Sequence, residues 1–326
     1  MSRLPAIQDL ERAAAALEPH AVRTPLLESR HLNEELAARV LFKAENLQRT
    51  GSFKFRGAYT AISRLPDQRR RQGVVAYSSG NHAQGVAAAA RMFRIPAVIV
   101  MPTTAPRMKI DRTRDHGAEV VLYDPAHEQR EPIGERLQAE RGLSLVRPFD
   151  DFDVICGQGT VGLEIAEQAR ARRLEIDELW CPCGGGGLIG GIATALADRS
   201  RDTRLYCVEP EHFDDTRRSL AAGKRLAIEP GHASICDAIV TPRPGELTFR
   251  INRERLTDGL VVDERAVMLA MRWAFEHLKL VLEPGGAVAL AGLLAGARDV
   301  RGRTVAVVLS GGNVDPDTFA RCIANG

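Results

Sequence analysis

The chain has 326 residues, 44% hydrophobic and 26% charged, with 44 basic against 42 acidic side chains and a formal net charge of +2. That length exceeds one simple core and implies two domains, or one large α/β domain with a second lobe; the near-balance of charge gives no electrostatic ground for a nucleic-acid or anionic-membrane partner. No apolar run approaches the ~18 residues of a membrane span, and six cysteines at 156, 181, 183, 207, 236 and 322 fit neither a disulfide framework nor a zinc site, so buried free thiols in a reducing cytoplasm are expected.

The N-terminal MSRLPAIQDLERAAAALEPH lacks the apolar core of a signal peptide and predicts an amphipathic helix. From about residue 39, strand-like runs alternate with helix-length amphipathic runs: RVLFKAE, GVVAYS, AVIVM, AEVVLY, LSLV, ELWCPC, RLYCVEP and TVAVVLS are the strands, with HAQGVAAAARMFR, TVGLEIAEQARARR and GLIGGIATALADR among the helices. Continuous apolar strands alternating with helices predict parallel sheets covered on both faces. RLPDQRRRQG, 64–73, reads as a solvated helix face. Residues 73–147 hold their own strand–helix units and are expected to form a small domain inserted into a larger one made of 1–72 and 148–326; the stretch 225–260, with little periodicity, is expected to be an irregular excursion of the larger domain.

Four glycine-marked stretches lie at strand–helix junctions, where open α/β sheets bind ligands. In RTGSFKFRGA, 49–58, a helix starting from about Ser52 puts Lys54 in its first turn, where the positive end of the dipole and apolar neighbours disfavour the ammonium form; a neutral amine is a nucleophile for an aldehyde, although a snorkelling surface lysine is the commoner fate. SSGNHAQG, 78–85, offers hydroxyls and N–H groups to a carboxylate and an amide to a ring oxygen, or simply a helix cap at Ser79. CPCGGGGLIGG, 181–191, is suited to a phosphate at a helix N-terminus. The same stretch reads G-x-G-x-x-G at Gly185, Gly187 and Gly190, with Glu209 ending the next strand where a dinucleotide's ribose would lie. LSGGNVD, 309–315, supplies the Ser310 hydroxyl at the mouth of the sheet. An imine-forming lysine, a phosphate cradle, a polar clamp and a hydroxyl together match the needs of pyridoxal phosphate.

These motifs, with GQGTVGLEI (157–165) and LEPGGAVALA (282–291), resemble in order and spacing the serine/threonine dehydratase and serine racemase family of fold-type II pyridoxal-phosphate enzymes, over nearly the whole chain. The resemblance implies two open, mostly parallel twisted sheets flanked by helices. It implies that Lys54 holds the cofactor as an imine and acts as base on one face, with Ser79 as acid/base on the other. Phe53 would pack on the pyridine ring, Asn81 would bond its 3-hydroxyl, Gly184, Gly185, Gly186, Gly187 and the Leu188 N–H would hold the phosphate, and Ser310 would face the ring nitrogen. Ser78, Ser79, Asn81 and His82 would meet the substrate, with Arg130 placed to reach a second carboxylate and Thr241 supplying a hydroxyl nearby.

The implied activity is an ammonia-lyase that converts L-threonine, L-serine or L-threo-3-hydroxyaspartate to a 2-oxo acid and ammonia. A serine rather than a carboxylate opposite the ring nitrogen suits β-elimination and limits transamination. A serine/aspartate racemase uses the same two residues and is the alternative; a nicotinamide dehydrogenase built on Gly185, Gly187, Gly190 and Glu209, or a non-catalytic binding protein, are remoter ones. The family also has members with a divalent-cation site, for which Glu209, the Phe213 carbonyl and Asp215 match, suiting Mg2+, Mn2+ or Ca2+. A cytoplasmic homodimer acting on a small amino acid, without the C-terminal regulatory domain of biosynthetic threonine dehydratases, completes the expectation.

Overall fold

The computed structural model describes residues 3–105 and 107–326. Ten strands form two sheets. β1 (Leu26–Glu28), β2 (Arg39–Ala44), β7 (Glu178–Pro182), β8 (Arg204–Pro210), β9 (Asp258–Val262) and β10 (Thr304–Leu309) make a six-stranded sheet in the order β1-β2-β10-β7-β8-β9. β3 (Val74–Tyr77), β4 (Ala97–Pro102), β5 (Glu119–Tyr123) and β6 (Ser144–Leu145) make a four-stranded one in the order β5-β4-β3-β6. Every pairing is parallel except β1 with β2. The apolar runs have their reason in burial: Val305 to Leu309 are fully buried between helices on both faces.

All eight strands read from the sequence are present, and the helices Asn81–Phe93 and Gly187–Arg199 fall where their periodicity puts them. Three elements differ from expectation. The helix read from Thr160 begins at Phe152, capped by Asp151, whose carboxylate accepts the Asp153 and Val154 N–H groups. β1 is a three-residue antiparallel edge, too short for a strand signal. The stretch 225–260 is irregular only in its first part and then carries the helix Glu246–Arg255 and the start of β9. That helix takes its cap from Asp150, which accepts the N–H groups of Glu246, Leu247 and Thr248 at 2.9, 2.8 and 3.2 Å. A cap supplied from so far along the chain leaves no local mark. Among the described residues no helix is long and apolar enough to cross a membrane, and all six cysteines are buried and free.

The glycines of GQGTVGLEI serve packing. A Cβ on Gly159 would lie 2.9 Å from the Gly191 carbonyl, and one on Gly191 would lie 2.5 Å from the Gly159 nitrogen. The helices Phe152–Ala171 and Gly187–Arg199 therefore cross with their backbones in contact.

The helix Phe152–Ala171 also closes a buried ionic network. Lys43 on β2, fully buried, donates to the Thr24 carbonyl at 2.8 Å and to Glu164 at 2.6 Å. Arg56, 1% exposed, is held by Glu45 through Nε and Nη2, both at 2.8 Å, and by Glu164 at 2.7 and 3.0 Å. Removing one member of a buried set leaves charge uncompensated. Glu164→Ala is expected to destabilise the protein by about 3–5 kcal/mol in urea unfolding, because Lys43 loses its direct ion pair among the described residues and keeps only the charge of Glu45 nearby; a loss under about 1 kcal/mol would show that the network relaxes into water.

Candidate active site

Residues following the C-terminal ends of β3, β6, β7 and β10 converge on one cavity of about 390 Å3. Lys54 is the first residue of the helix Lys54–Ser63, so it sits where the helix N–H groups are unpaired and the dipole is positive. Its Nζ donates to the Pro148 carbonyl at 2.7 Å and lies 5.2 Å from the Phe53 ring centre. Withdrawal from water pushes the ammonium down to about 8, against the opposing pull of Glu283. The neutral, nucleophilic fraction is therefore about a tenth at pH 7 and about half near pH 8, far above that of an ordinary lysine.

The glycine cradle follows β7. Gly186 has φ +86° and leads into the helix Gly187–Arg199, whose first-turn N–H groups have no carbonyl of their own helix. A Cβ on Gly185 would sit 2.3 Å from the Phe149 ring, and one on Gly186 2.6 Å from Asn252 Nδ2. The Gly185 and Gly186 carbonyls are tied to Thr248 Oγ1 at 2.7 Å and Asn252 Nδ2 at 3.3 Å. Gly184, Gly187 and Leu188 line the cavity beside them. Ser310, 4% exposed, follows β10; its carbonyl accepts the Phe53 N–H at 3.2 Å and its hydroxyl has no bond to a described residue.

On the four-stranded side, Gly80 rather than Ser79 caps the helix Asn81–Phe93, with no side-chain capping bond. Ser79 therefore faces the cavity with its hydroxyl uncommitted, while Ser78 Oγ accepts the Gly80 N–H at 3.2 Å. Asn81 donates to Glu283 Oε1 at 2.5 Å and accepts from Asn313 at 2.8 Å, leaving one N–H and one lone pair. His82 bonds through Nε2 to the Val146 carbonyl at 2.9 Å, so Nε2 carries the proton, and burial followed by the nearby Lys54 charge pushes the ring down to about 3. The ring is neutral, and its buried Nδ1 has no partner. His82 accordingly has no side-chain proton left for a carboxylate; what it offers is its first-turn backbone N–H. Arg130 opens the helix Arg130–Arg141 at the rim, paired with Glu131 at 2.8 Å, its guanidinium 5.5 Å from the Tyr77 ring centre; Thr241 stands on the facing wall.

Glu283 is a site residue that sequence reasoning misses, although it lies within LEPGGAVALA. It is 3% exposed, bonded to Asn81, and raised to about 7 by burial against the lowering effect of that bond and of Lys54. The signal is a carboxylate immediately before a proline-led, fully apolar helix, Pro284–Leu294.

Glu209, Phe213 and Asp215 are buried and lie outside this cavity. Glu209 accepts the Thr216 and Arg217 N–H groups at 3.0 and 2.8 Å, one on each oxygen. Fully buried and away from the cavity, Glu209 is not open to a ribose, and the dehydrogenase alternative fails on that ground. Both Asp215 oxygens are buried without a partner among the described residues. Burial raises Glu209 well above, and Asp215 to about 8 from, the usual carboxylate values, so neither is charged at neutral pH. Among the described residues no group of three or more His, Cys, Asp and Glu side chains is assembled for a metal.

Comparison with known proteins places this geometry. The family described as pyridoxal-phosphate dependent enzyme matches residues 17–311. An L-threo-3-hydroxyaspartate ammonia-lyase from Pseudomonas sp is 44% identical over 318 residues, 98% of each chain. The crystal structure of a threonine deaminase from T.th. superposes with a TM-score of 0.90 at 45% identity, covering 95% of this chain and 99% of that one. Maize serine racemase superposes with a TM-score of 0.91 at 36% identity, covering 99% and 98%.

Because the folded-state value of Glu283 lies above its usual 4.5, the stability this carboxyl contributes is full below about 4.5 and is lost as pH rises towards about 7. Glu283→Gln keeps an acceptor for Asn81 and removes that titration. In urea melts of the cofactor-free protein the variant is expected to gain on the wild type as pH rises from about 5 to 7, by about 2 kcal/mol; parallel pH profiles would show that Glu283 titrates normally.

Proposed function

The chain belongs to the pyridoxal-phosphate dependent enzyme family, and on that premise we propose that it is an ammonia-lyase converting a 3-hydroxy amino acid (L-threo-3-hydroxyaspartate, L-threonine or L-serine) to a 2-oxo acid and ammonia. The observation that carries this reading is the meeting, in one cavity, of a low-pKa lysine, a glycine cradle and an uncommitted serine, in a chain matched end to end by an ammonia-lyase.

The residues fit the cofactor. The cradle tolerates no Cβ at Gly185 or Gly186, and Lys54 opens on the same cavity. Gly184, Gly185, Gly186, Gly187 and the Leu188 N–H would take the phosphate, Phe53 the ring face, Asn81 the 3-hydroxyl and Ser310 the ring nitrogen. Bound there, pyridoxal phosphate supplies an aldehyde that joins an amine covalently and a ring that withdraws electrons from the α-carbon. Ser78 and the first-turn N–H groups of Asn81 and His82 orient the substrate carboxylate at the positive end of their helix. Neutral Lys54 takes the α-proton at Nζ, and the Pro148 carbonyl holds the resulting ammonium. Ser79 is the proton carrier for the other face. Loss of the β-hydroxyl as water and hydrolysis of the resulting enamine yield the 2-oxo acid and ammonia. We assign the closing role to 73–147, which carries the SSGNH turn, against 1–72 and 148–326. A homodimer in the cytoplasm completes the proposal; the six buried, unpaired cysteines support a reducing compartment.

Racemisation is the second reading. It is favoured by Lys54 and Ser79 both lining the cavity and by the likeness to maize serine racemase. Incubation with the three substrates, followed by 2-oxo acid assay and chiral chromatography, separates the two. Wild type is expected to form 2-oxo acid, and Lys54→Ala to lose at least about a thousandfold in rate together with the absorbance near ~420 nm that borohydride removes. No 2-oxo acid from any of the three, with cofactor bound, would overturn the lyase assignment, and inversion alone would establish the racemase.

A divalent cation is a separate proposal, supported by the two buried, unpartnered Asp215 oxygens. Asp215 and the Phe213 carbonyl would be the ligands together with water, and Glu209, whose oxygens accept backbone N–H groups, would brace the loop rather than serve as the ligand the sequence suggests. Magnesium, manganese or calcium added to chelator-treated protein is expected to raise Tm by several degrees, and Asp215→Asn to abolish the rise; an unchanged Tm with all three ions would exclude the site.

A further inference from the structure

We propose that Arg147 is the residue that reads the distal carboxylate of a dicarboxylic 3-hydroxy amino acid, a role the sequence assigns to Arg130. The inference rests on the ammonia-lyase reading and narrows its substrate class.

Besides Lys54, four cations line the cavity: Lys109, Arg130, Arg147 and Arg243. Lys109 is bound to Asp237 at 2.6 Å, and Arg130 to Glu131 at 2.8 Å. A second substrate carboxylate approaching Arg130 meets Glu131 as well, so the attraction is largely cancelled. The guanidinium of Arg147 is exposed and has neither an ion pair nor a hydrogen bond among the described residues. The acids nearest in sequence are bonded elsewhere: Asp150 accepts the N–H groups of Glu246, Leu247 and Thr248, and Asp151 those of Asp153 and Val154, so that Asp151 feels the Arg147 charge without a bond to it.

The backbone of Arg147 is fixed by the site itself. The carbonyl before it, of Val146, holds His82 at 2.9 Å, and the carbonyl after it, of Pro148, holds Lys54 Nζ at 2.7 Å. The Val146 N–H is bonded to Val75 of β3 at 2.9 Å. Arg147 thus stands between the contacts to the carboxylate clamp and to the base. Its charge is felt at Tyr77, whose hydroxyl burial raises and Arg147 lowers, ahead of Glu131 and Arg130. Arg243 is also exposed without a hydrogen bond or ion pair among the described residues, but neither residue flanking it is bonded to Lys54 or His82.

An unpaired, solvated guanidinium does nothing for stability. Toward threonine or serine it has nothing to bind, since the group beyond the hydroxyl-bearing carbon is a methyl or absent. Toward a substrate with a carboxylate there, it offers a forked, charge-assisted contact at no cost of breaking an existing pair.

The test compares holoenzyme variants Arg147→Ala, Arg147→Lys and Arg243→Ala on L-threo-3-hydroxyaspartate and L-serine. Arg147→Ala is expected to raise KM for hydroxyaspartate at least about tenfold while kcat/KM for L-serine moves less than about threefold. Arg147→Lys should recover part of the loss, and Arg243→Ala should leave the ratio of the two substrates unchanged. Equal losses on both substrates, or no loss on hydroxyaspartate, would overturn the assignment, as would Arg130→Ala alone abolishing the preference. Should the wild type turn over none of L-threo-3-hydroxyaspartate, L-serine and L-threonine, the lyase reading fails, and calorimetry with succinate against butyrate decides Arg147 separately. A preference for succinate that Arg147→Ala removes upholds the assignment; identical binding by wild type and variant overturns it.

Discussion

A guanidinium with no access to water organises this molecule. Arg56 lies two residues beyond Lys54 in the same helix and is clamped by Glu45 from the segment after β2 and by Glu164 from the helix Phe152–Ala171. Glu164 also holds Lys43 on β2. Two buried cations and two carboxylates therefore join a strand, its following turn and two helices. Such a network adds little net stability over an apolar core, but it penalises every arrangement in which a member loses its partner. The penalty fixes the angular position of the helix that begins with Lys54, and hence the direction in which Nζ leaves it.

The cavity itself runs on imbalance. Lys54 and Glu283 influence each other across it, and burial pushes the lysine down to about 8 and the carboxyl up to about 7. Both groups are brought close to neutrality, where small changes in surroundings exchange protons between states. His82 is held permanently neutral, so its role is mechanical, connecting the helix Asn81–Phe93 to the Val146 carbonyl. Both helix starts are suited to anions: the first turns at Asn81 and at Gly187 present N–H groups without helix partners to the same space.

Much of this is legible in the sequence because the relevant signals are local. Apolar runs such as TVAVVL need two covered faces, and each ligand-facing turn is marked by glycine or serine at a strand's end. What escapes depends on partners distant in the chain. The helix Glu246–Arg255 is capped by Asp150, and β1 exists only by pairing with β2. Glu283 sits in a motif whose apolar residues draw attention away from its one carboxylate. The Nε2 bond of His82 to Val146 fixes the tautomer, which no sequence pattern specifies. Glu209 carries two competing readings in the sequence, and its oxygens are taken by Thr216 and Arg217 in the fold.

The five residues from Val146 to Asp150 touch almost everything that matters: Val146 holds His82, Pro148 holds Lys54, Phe149 fills the space above Gly185, and Asp150 starts the helix Glu246–Arg255. None of these contacts is catalytic in type, and two are made by backbone carbonyls. Anyone transplanting this site onto another scaffold would have to carry that pentapeptide as one unit. A graft of the lysine, the glycines and the serines alone would place the right groups with nothing to keep them in register.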